Sequence, residues 1–269
     1  MDIRKKCQSH LWLLTGTGEG HDFAKSLLKE GWKITVSVVS DRASIPYKEL
    51  NLENILIGAL TSEEEIRSVI LNTRKNQVGF HCVIDLTHPF ATKITPTISK
   101  VCKELSQPFI RYERPVENIL NAFLIKNYFD LVNYDLKNKS ILFALGARHL
   151  QGALIFSREL GANVYARILA NPESIKKALS SSILKSNLAV LNPSDSSDGE
   201  IEKALIRKWN IDGVVCRQSG GRTEKLWQKV CLSKGIDLFL IERPAKPQDI
   251  NSIDNYEKLI NSLESISME

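Results

Sequence analysis

Three glycines fall within LTGTGEG (Leu14 to Gly20), where an apolar run meets a helical pattern. A glycine-rich turn from strand to helix lets backbone N–H groups approach a phosphate, and the helix dipole favours the anion. Gly16, Thr17, Gly18, Glu19 and Gly20 are therefore candidates to hold a phosphate-bearing cofactor. The spacing departs from G-x-G-x-x-G because the third glycine comes one residue early. A second apolar run ends at Ser40-Asp41-Arg42. In dinucleotide folds this position meets the adenosine ribose. Ser40 and Arg42 favour the 2′-phosphate of NADPH, whereas Asp41 keeps NADH open. A third motif, DLTHPFA (Asp85 to Ala91), sets Thr87 and His88 at a strand end. There His88 could exchange a proton, with Asp85 organising the turn. Arginines recur at strand ends: Arg111, Arg114, Arg148, Arg167, Arg217 and Arg243. Guanidinium groups bind carboxylates bidentately, so a converging set suits a polycarboxylate ligand. For Arg243 a surface salt bridge or a structural role is the better reading. Ser219-Gly220-Gly221 forms a second glycine-bearing turn, with Thr223 and Lys225 placed to take an anionic group.

These motifs need strands that stop where the chemistry begins. Runs at Leu11 to Thr15, Lys33 to Val39, Asn54 to Leu60, His81 to Leu86 and Phe109 to Tyr112 read as strands, with helices at Asp22 to Glu30, Ser62 to Thr73 and Lys93 to Leu105. The pattern restarts with strands at Ile141 to Leu145, Asn163 to Leu169, Asn187 to Leu191, Gly213 to Arg217 and Asp237 to Ile241. Helices are expected at Leu150 to Leu160, Pro172 to Leu179, Glu200 to Trp209 and Glu224 to Ser233. Such alternation implies βαβ crossovers and parallel sheets covered on both faces. VCKELSQPFIRYERP (Val101 to Pro115) aligns without gaps on VCLSKGIDLFLIERP (Val230 to Pro244), which suggests two similar halves joined within Val116 to Lys139. The expected domains are residues 1–132, carrying the GTGEG turn, and 133–269, ending in a polar tail with a helix at Asn255 to Leu263.

Composition narrows the class. The chain has 269 residues, enough for two cores, with 43% hydrophobic and 25% charged residues. No apolar run reaches the roughly 18 residues needed to span a bilayer, and the polar first ten residues do not resemble a signal peptide. A cytoplasmic protein is expected. The net charge of +5 comes without a Lys/Arg block or aromatic–basic interleaving, so nucleic acid is not the expected partner. The five scattered cysteines have no CxxC spacing, and neither a metal site nor a disulfide framework is expected.

Taken together, GTGEG, VSVVS (Val36 to Ser40), DLTHPFA, RYERP (Arg111 to Pro115), LGARHL (Leu145 to Leu150), RILANPES (Arg167 to Ser174), QSGG (Gln218 to Gly221) and the closing IERP resemble the precorrin-6A reductase family, including its cobalt-precorrin-6A branch. The resemblance spans nearly the whole chain and departs at Arg217-Gln218, where lysine and a small acidic or amide residue are expected. It implies two Rossmann-like α/β domains with mainly parallel sheets, a ligand cleft between them, and NAD(P)H as hydride donor to a tetrapyrrole. On this reading Gly16 to Gly20, Ser40 and Arg42 hold the cofactor, NADPH or alternatively NADH. Thr87, His88, Arg111, Arg114, Arg148, Arg167, Ser219, Gly220 and Lys225 meet the polycarboxylate substrate, and His88 is the catalytic candidate. Other corrin-pathway enzymes are conceivable partners. The competing readings are a two-domain nucleotide-sugar enzyme or glycosyltransferase, and an NADPH-binding redox sensor.

Overall fold

The computed structural model describes residues 9–16, 19–76, 78–116, 122–192, 198–246 and 249–266. The chain divides into two compact units, Met1–Pro115 together with Pro244–Glu269, and Val116–Arg243.

The first unit runs β1 (His10–Thr15), α1 (Glu19–Lys29), β2 (Lys33–Val38), a short helical turn (Asp41–Ser44) continuing as a 3-10 turn (Ile45–Glu49), β3 (Asn54–Ile57), α2 (Glu63–Asn76), β4 (Cys82–Leu86), α3 (Ile94–Glu104) and β5 (Phe109–Tyr112). It is completed from the far end of the chain by β12 (Ser252–Ile253) and α8 (Tyr256–Ser265). Its sheet has the order β12-β5-β4-β1-β2-β3, and all these pairings are parallel. Alternate side chains of β1 supply two cores, as the two-residue strand period requires. Leu11 and Leu13 pack with Ala24 and Leu27 of α1 and Leu259 and Leu263 of α8. Trp12 and Leu14 pack with Ile66, Ile70, Ile98 and Val101 on the other face.

The second unit comprises β6 (Ala122–Ile125), a 3-10 turn (Tyr128–Asn133), β7 (Ser140–Phe143), a 3-10 turn (Ala147–His149), α4 (Leu150–Glu159), β8 (Asn163–Ile168), α5 (Pro172–Leu179), β9 (Leu188–Val190), α6 (Glu200–Trp209), β10 (Gly213–Arg217), α7 (Arg222–Lys234) and β11 (Asp237–Ile241). The sheet order is β6-β11-β10-β7-β8-β9, again parallel. Phe143 joins Leu150 and Leu154 of α4 on one face, while Leu142 meets Trp209 of α6 and Trp227 of α7 on the other.

The two sheets correspond strand for strand. Val-Cys is buried on α3 (Val101, Cys102) and on α7 (Val230, Cys231), and each helix leads to a strand that ends at Glu-Arg-Pro. The unit boundaries fall at those two motifs, where proline ends strand hydrogen bonding. The sixth strands are exchanged in sequence. β6 follows the first Glu-Arg-Pro but pairs with β11, and β12 follows the second but pairs with β5. Sequence reading placed the division at residue 132 and gave the tail to the second half. The tail instead belongs to the first unit, because Leu259 and Leu263 have no exposure there and His81 Nε2 bonds Leu263 O at 2.8 Å. The tail helix is capped by Asn255, whose Oδ1 accepts from Glu257 N.

Cys82, Cys102, Cys216 and Cys231 are free and buried; Cys7 lies outside the described residues. Burial pushes the Cys102 and Cys231 thiols up to about 12, and raises Cys82 and Cys216 as well. Thiolate is the reactive form. A Cys7→Ser variant should therefore resist a thiol reagent at pH 8 until denatured; fast native labelling would contradict this packing. Among the described residues no helix is long and apolar enough to cross a membrane, and no cluster of three metal-ligating side chains occurs.

Candidate active site

β1 ends at Thr15 and turns through Gly16 into α1, whose first residue is Glu19. Thr17 and Gly18, both assigned to the cofactor from sequence, lie outside the described residues. Gly20 has a packing reason to lack a side chain. A Cβ there would stand 2.6 Å from Tyr47 Oη and 2.8 Å from Thr15 Cβ. This is the close helix-to-strand approach that the third glycine of dinucleotide turns permits. Gly20→Ala should lower stability by about 1–3 kcal/mol through overpacking and raise the cofactor KM; a thermal melt and a cofactor titration check both.

Beyond the ends of β1 and β2 lies a cavity of about 260 Å³, lined by Thr15, Gly16, His21, Val38, Val39, Ala43, Pro46 and Tyr47. Its place at the carboxyl ends of adjacent parallel strands is where such sheets bind nucleotides. The His21 ring meets Tyr47 edge-on, with centroids 5.8 Å apart. Burial raises the Tyr47 phenol, so it stays neutral. His21, Pro46 and Tyr47 were not singled out from sequence; His21 directly follows the glycine motif, and Pro46 and Tyr47 come four and five residues after Arg42. Ser40 caps the short turn by accepting from Ala43 N at 3.3 Å, and Arg42 is exposed on that turn.

At the end of β4, Asp85 is fully buried and takes three contacts. Its Oδ1 accepts from Thr87 N at 2.9 Å and lies 2.7 Å from Arg111 Nη1, while Oδ2 accepts from Thr95 Oγ1 at 2.6 Å. Arg111 Nη1 also donates to Thr87 Oγ1 at 2.8 Å, and its Nε donates to Glu113 Oε1 at 3.0 Å. The tail strand closes this network. Asn251 O accepts from Arg111 N, and Ile253 O accepts from Glu113 N. Arg111, expected to meet substrate carboxylates, is thus only 2% exposed and committed to internal carboxylates. Asp85 organises the turn as anticipated. The product is a fixed DLTHP segment. His88 Nδ1 accepts from Phe90 N at 3.2 Å, which puts the proton of a neutral ring on Nε2. The His88 backbone lies 3.6 Å from the Cβ position of Gly16, so the THP turn and the glycine turn are neighbours.

Two further expectations change. Glu19 and Arg114, assigned to cofactor and substrate, pair with each other, Oε2 to Nε, at 2.5 Å. Ser219 and Gly220, expected on substrate, form a self-satisfied turn. Gly220 N donates to Glu224 Oε2 at 2.6 Å, and Gly221 N donates to Ser219 Oγ at 3.3 Å. A carboxylate of the chain thus takes the Gly220 N–H of this turn. Lys225 is exposed just beyond it. Arg167 is buried with its Nε unpartnered, desolvation lowering its pKa against the opposing pull of Glu202. Arg148 is exposed after β7, and Arg243 packs against Gln218, as its structural reading implied.

A parallel α/β unit with a cavity of about 260 Å³ at the ends of β1 and β2, beside the turn that carries His88, has the architecture of folds whose ligands meet the carboxyl ends of the strands. A family model described as precorrin-6x reductase CbiJ/CobK matches residues 10–264, and the chain belongs to that family of oxidoreductases. It is 30% identical over 240 residues to the cobalt-precorrin-6A reductase of Synechocystis sp., covering 87% of this chain and 88% of that one. With the Methanococcus maripaludis protein of the same name it shares 29% identity, covering 93% and 96%. With the precorrin-6A reductase of Mycobacterium tuberculosis (strain H37Rv) it shares 26%, covering 91% and 93%. A solved structure named CobK precorrin-6A reductase superposes with a TM-score of 0.75 at 20% identity, over 96% of this chain and 97% of that one, which supports the fold.

Proposed function

We propose that this chain reduces one carbon–carbon double bond of cobalt-precorrin-6A in corrin-ring biosynthesis, with NADPH as the preferred donor and in the cytoplasm. Family membership carries the reaction class, and the names of the relatives at 30% and 29% identity favour the cobalt-bearing substrate over the cobalt-free one. The reductase reading is accordingly favoured over the nucleotide-sugar and redox-sensor alternatives.

The observation that carries the cofactor assignment is the cavity at the ends of β1 and β2. Its Val38, Val39, Ala43 and Pro46 walls suit a planar base, and Gly16 with the start of α1 suits a pyrophosphate. Ser40 and Arg42, on the turn that contributes Ala43, suit a 2′-phosphate. A reduced nicotinamide, when bound, supplies the hydride. The chain's part is then to orient, to balance charge and to deliver a proton. His88 holds that proton at Nε2 on the turn beside Gly16.

Titrating NADPH and NADH against the protein by nicotinamide fluorescence tests the cofactor half. NADPH should bind more tightly, and Arg42→Gln should weaken NADPH about tenfold, the scale of one lost charge-assisted contact, while sparing NADH. Equal loss of both would reject Arg42 as the 2′-phosphate ligand.

A further inference from the structure

Strand pairing relates the two units residue by residue. Trp12 is paired with Thr35 and Val83, and Leu142 with Tyr165 and Val214. Val83 lies opposite Phe109 and Val214 opposite Leu238, positions that the gapless match of Val101–Pro115 to Val230–Pro244 equates, so Trp12 and Leu142 are counterparts, and counting onward makes Gly146 the counterpart of Gly16. Gly16 directly follows β1, and Gly146 lies three residues beyond the end of β7. The sequences that follow differ. The first unit continues Thr17-Gly18-Glu19, of which Thr17 and Gly18 lie outside the described residues. The second continues Ala147-Arg148-His149, in which Gly146 takes a positive φ of 77° and Arg148 and His149 are exposed. The neighbouring strand adds a third cation. β10 lies beside β7 with Val215 opposite Phe143, so Arg217, two residues on, reaches the same turn.

We propose that Arg148, His149 and Arg217 form one carboxylate-binding subsite of the substrate, with His149 as its pH-dependent member. The duplicated ligand edge is retained, and side-chain cations replace the glycine turn. This rests on the tetrapyrrole reading above, adds His149 to the residues that meet the macrocycle's acidic side chains, and joins it to Arg148 and Arg217 in one subsite. Arginines bring fixed charge, whereas a histidine gains charge only when an anion arrives or the pH falls.

The electrostatics agree. Burial, then Arg217, then Arg148 lower the His149 pKa below its usual value, and burial, then Arg148, lower that of half-buried Arg217. The other charged groups on elements packed against this turn are Glu173, Lys176 and Lys177 of α5, and Arg158 and Glu159 of α4. Lys177 pairs with Glu173. At pH 7 His149 is mostly neutral without ligand, and a bound carboxylate raises its pKa. Binding therefore takes up a proton, and substrate affinity should strengthen as pH falls through the His149 range.

Initial rates with cobalt-precorrin-6A at saturating NADPH, from pH 5.5 to 8, test this. The wild-type substrate KM should fall about tenfold toward low pH, the effect of coupling to about one pKa unit. His149→Gln should hold KM near its high-pH value throughout with kcat little changed. Arg217→Gln should raise substrate KM at every pH and leave the NADPH KM unaltered. A His149→Gln profile that follows the wild type, or an unchanged KM in Arg217→Gln, overturns the subsite. Absence of turnover in the wild type would instead overturn the substrate reading, so the two failures are separable.

Discussion

Replacing Arg111 with methionine is expected to destabilise the protein by about 3–5 kcal/mol, the cost of leaving buried carboxylates without their cation. Asp85 and Glu113 would remain at 0% and 6% exposure with no guanidinium between them. Urea unfolding of the wild type and variant measures the loss. Combining Arg111→Met with Asp85→Asn should recover part of it, because the orphaned charge is then gone. An isolated surface arginine would cost under about 1 kcal/mol, and a value in that range would contradict the network. Activity should suffer as well, since Thr87, next to His88, takes one contact from Arg111 and one from Asp85.

The second large effect concerns the reaction itself. His88→Ala should lower kcat by about 10²–10⁴-fold, the usual contribution of a positioned proton donor, with little change in the cofactor KM or in the melting temperature. His88 is half-buried and accepts a local hydrogen bond from Phe90 N two residues on, so the expected loss is in turnover. A kcat near wild type would remove His88 from the chemistry. A parallel rise in KM for both ligands would point to binding instead.

Much of this architecture was legible because burial on both faces writes strands as continuous apolar runs. LWLLT, VIDL and GVVC sit in the middle of their sheets, and each was visible in sequence. Two of the edge strands, β12 and β6, were not. β12 is two residues long and β6 four, and their place is set by pairing with β5 and β11. The tail helix was readable from its Asn255 cap, but its partner was not, since nothing local in Leu259 or Leu263 names the sheet they cover. The site shows the same division. Motif residues were found, whereas the obligations of each charge were not. Arg111 on β5 and Glu113 just past its end are two apart in sequence, and Arg111 Nε donates to Glu113 Oε1, so the spacing was a signal that a buried pair was available. Glu224 falls four residues after Gly220, which is close enough to cap that turn from within. Tyr47 and Pro46 enter the cavity only because the chain after β2 folds back, a tertiary event without a local signature.

The central claim is the reduction, and a single spectroscopic experiment addresses it most directly. Purified protein would be mixed with cobalt-precorrin-6A and NADPH carrying deuterium at nicotinamide C4, and the macrocycle spectrum, nicotinamide absorbance and product mass followed together. The account predicts a spectral change matched mole for mole by nicotinamide oxidation, with one deuterium on a ring carbon of the product. A folded protein that oxidises no nicotinamide with either the cobalt or the cobalt-free macrocycle, or a product without deuterium from either face of the cofactor, would contradict it.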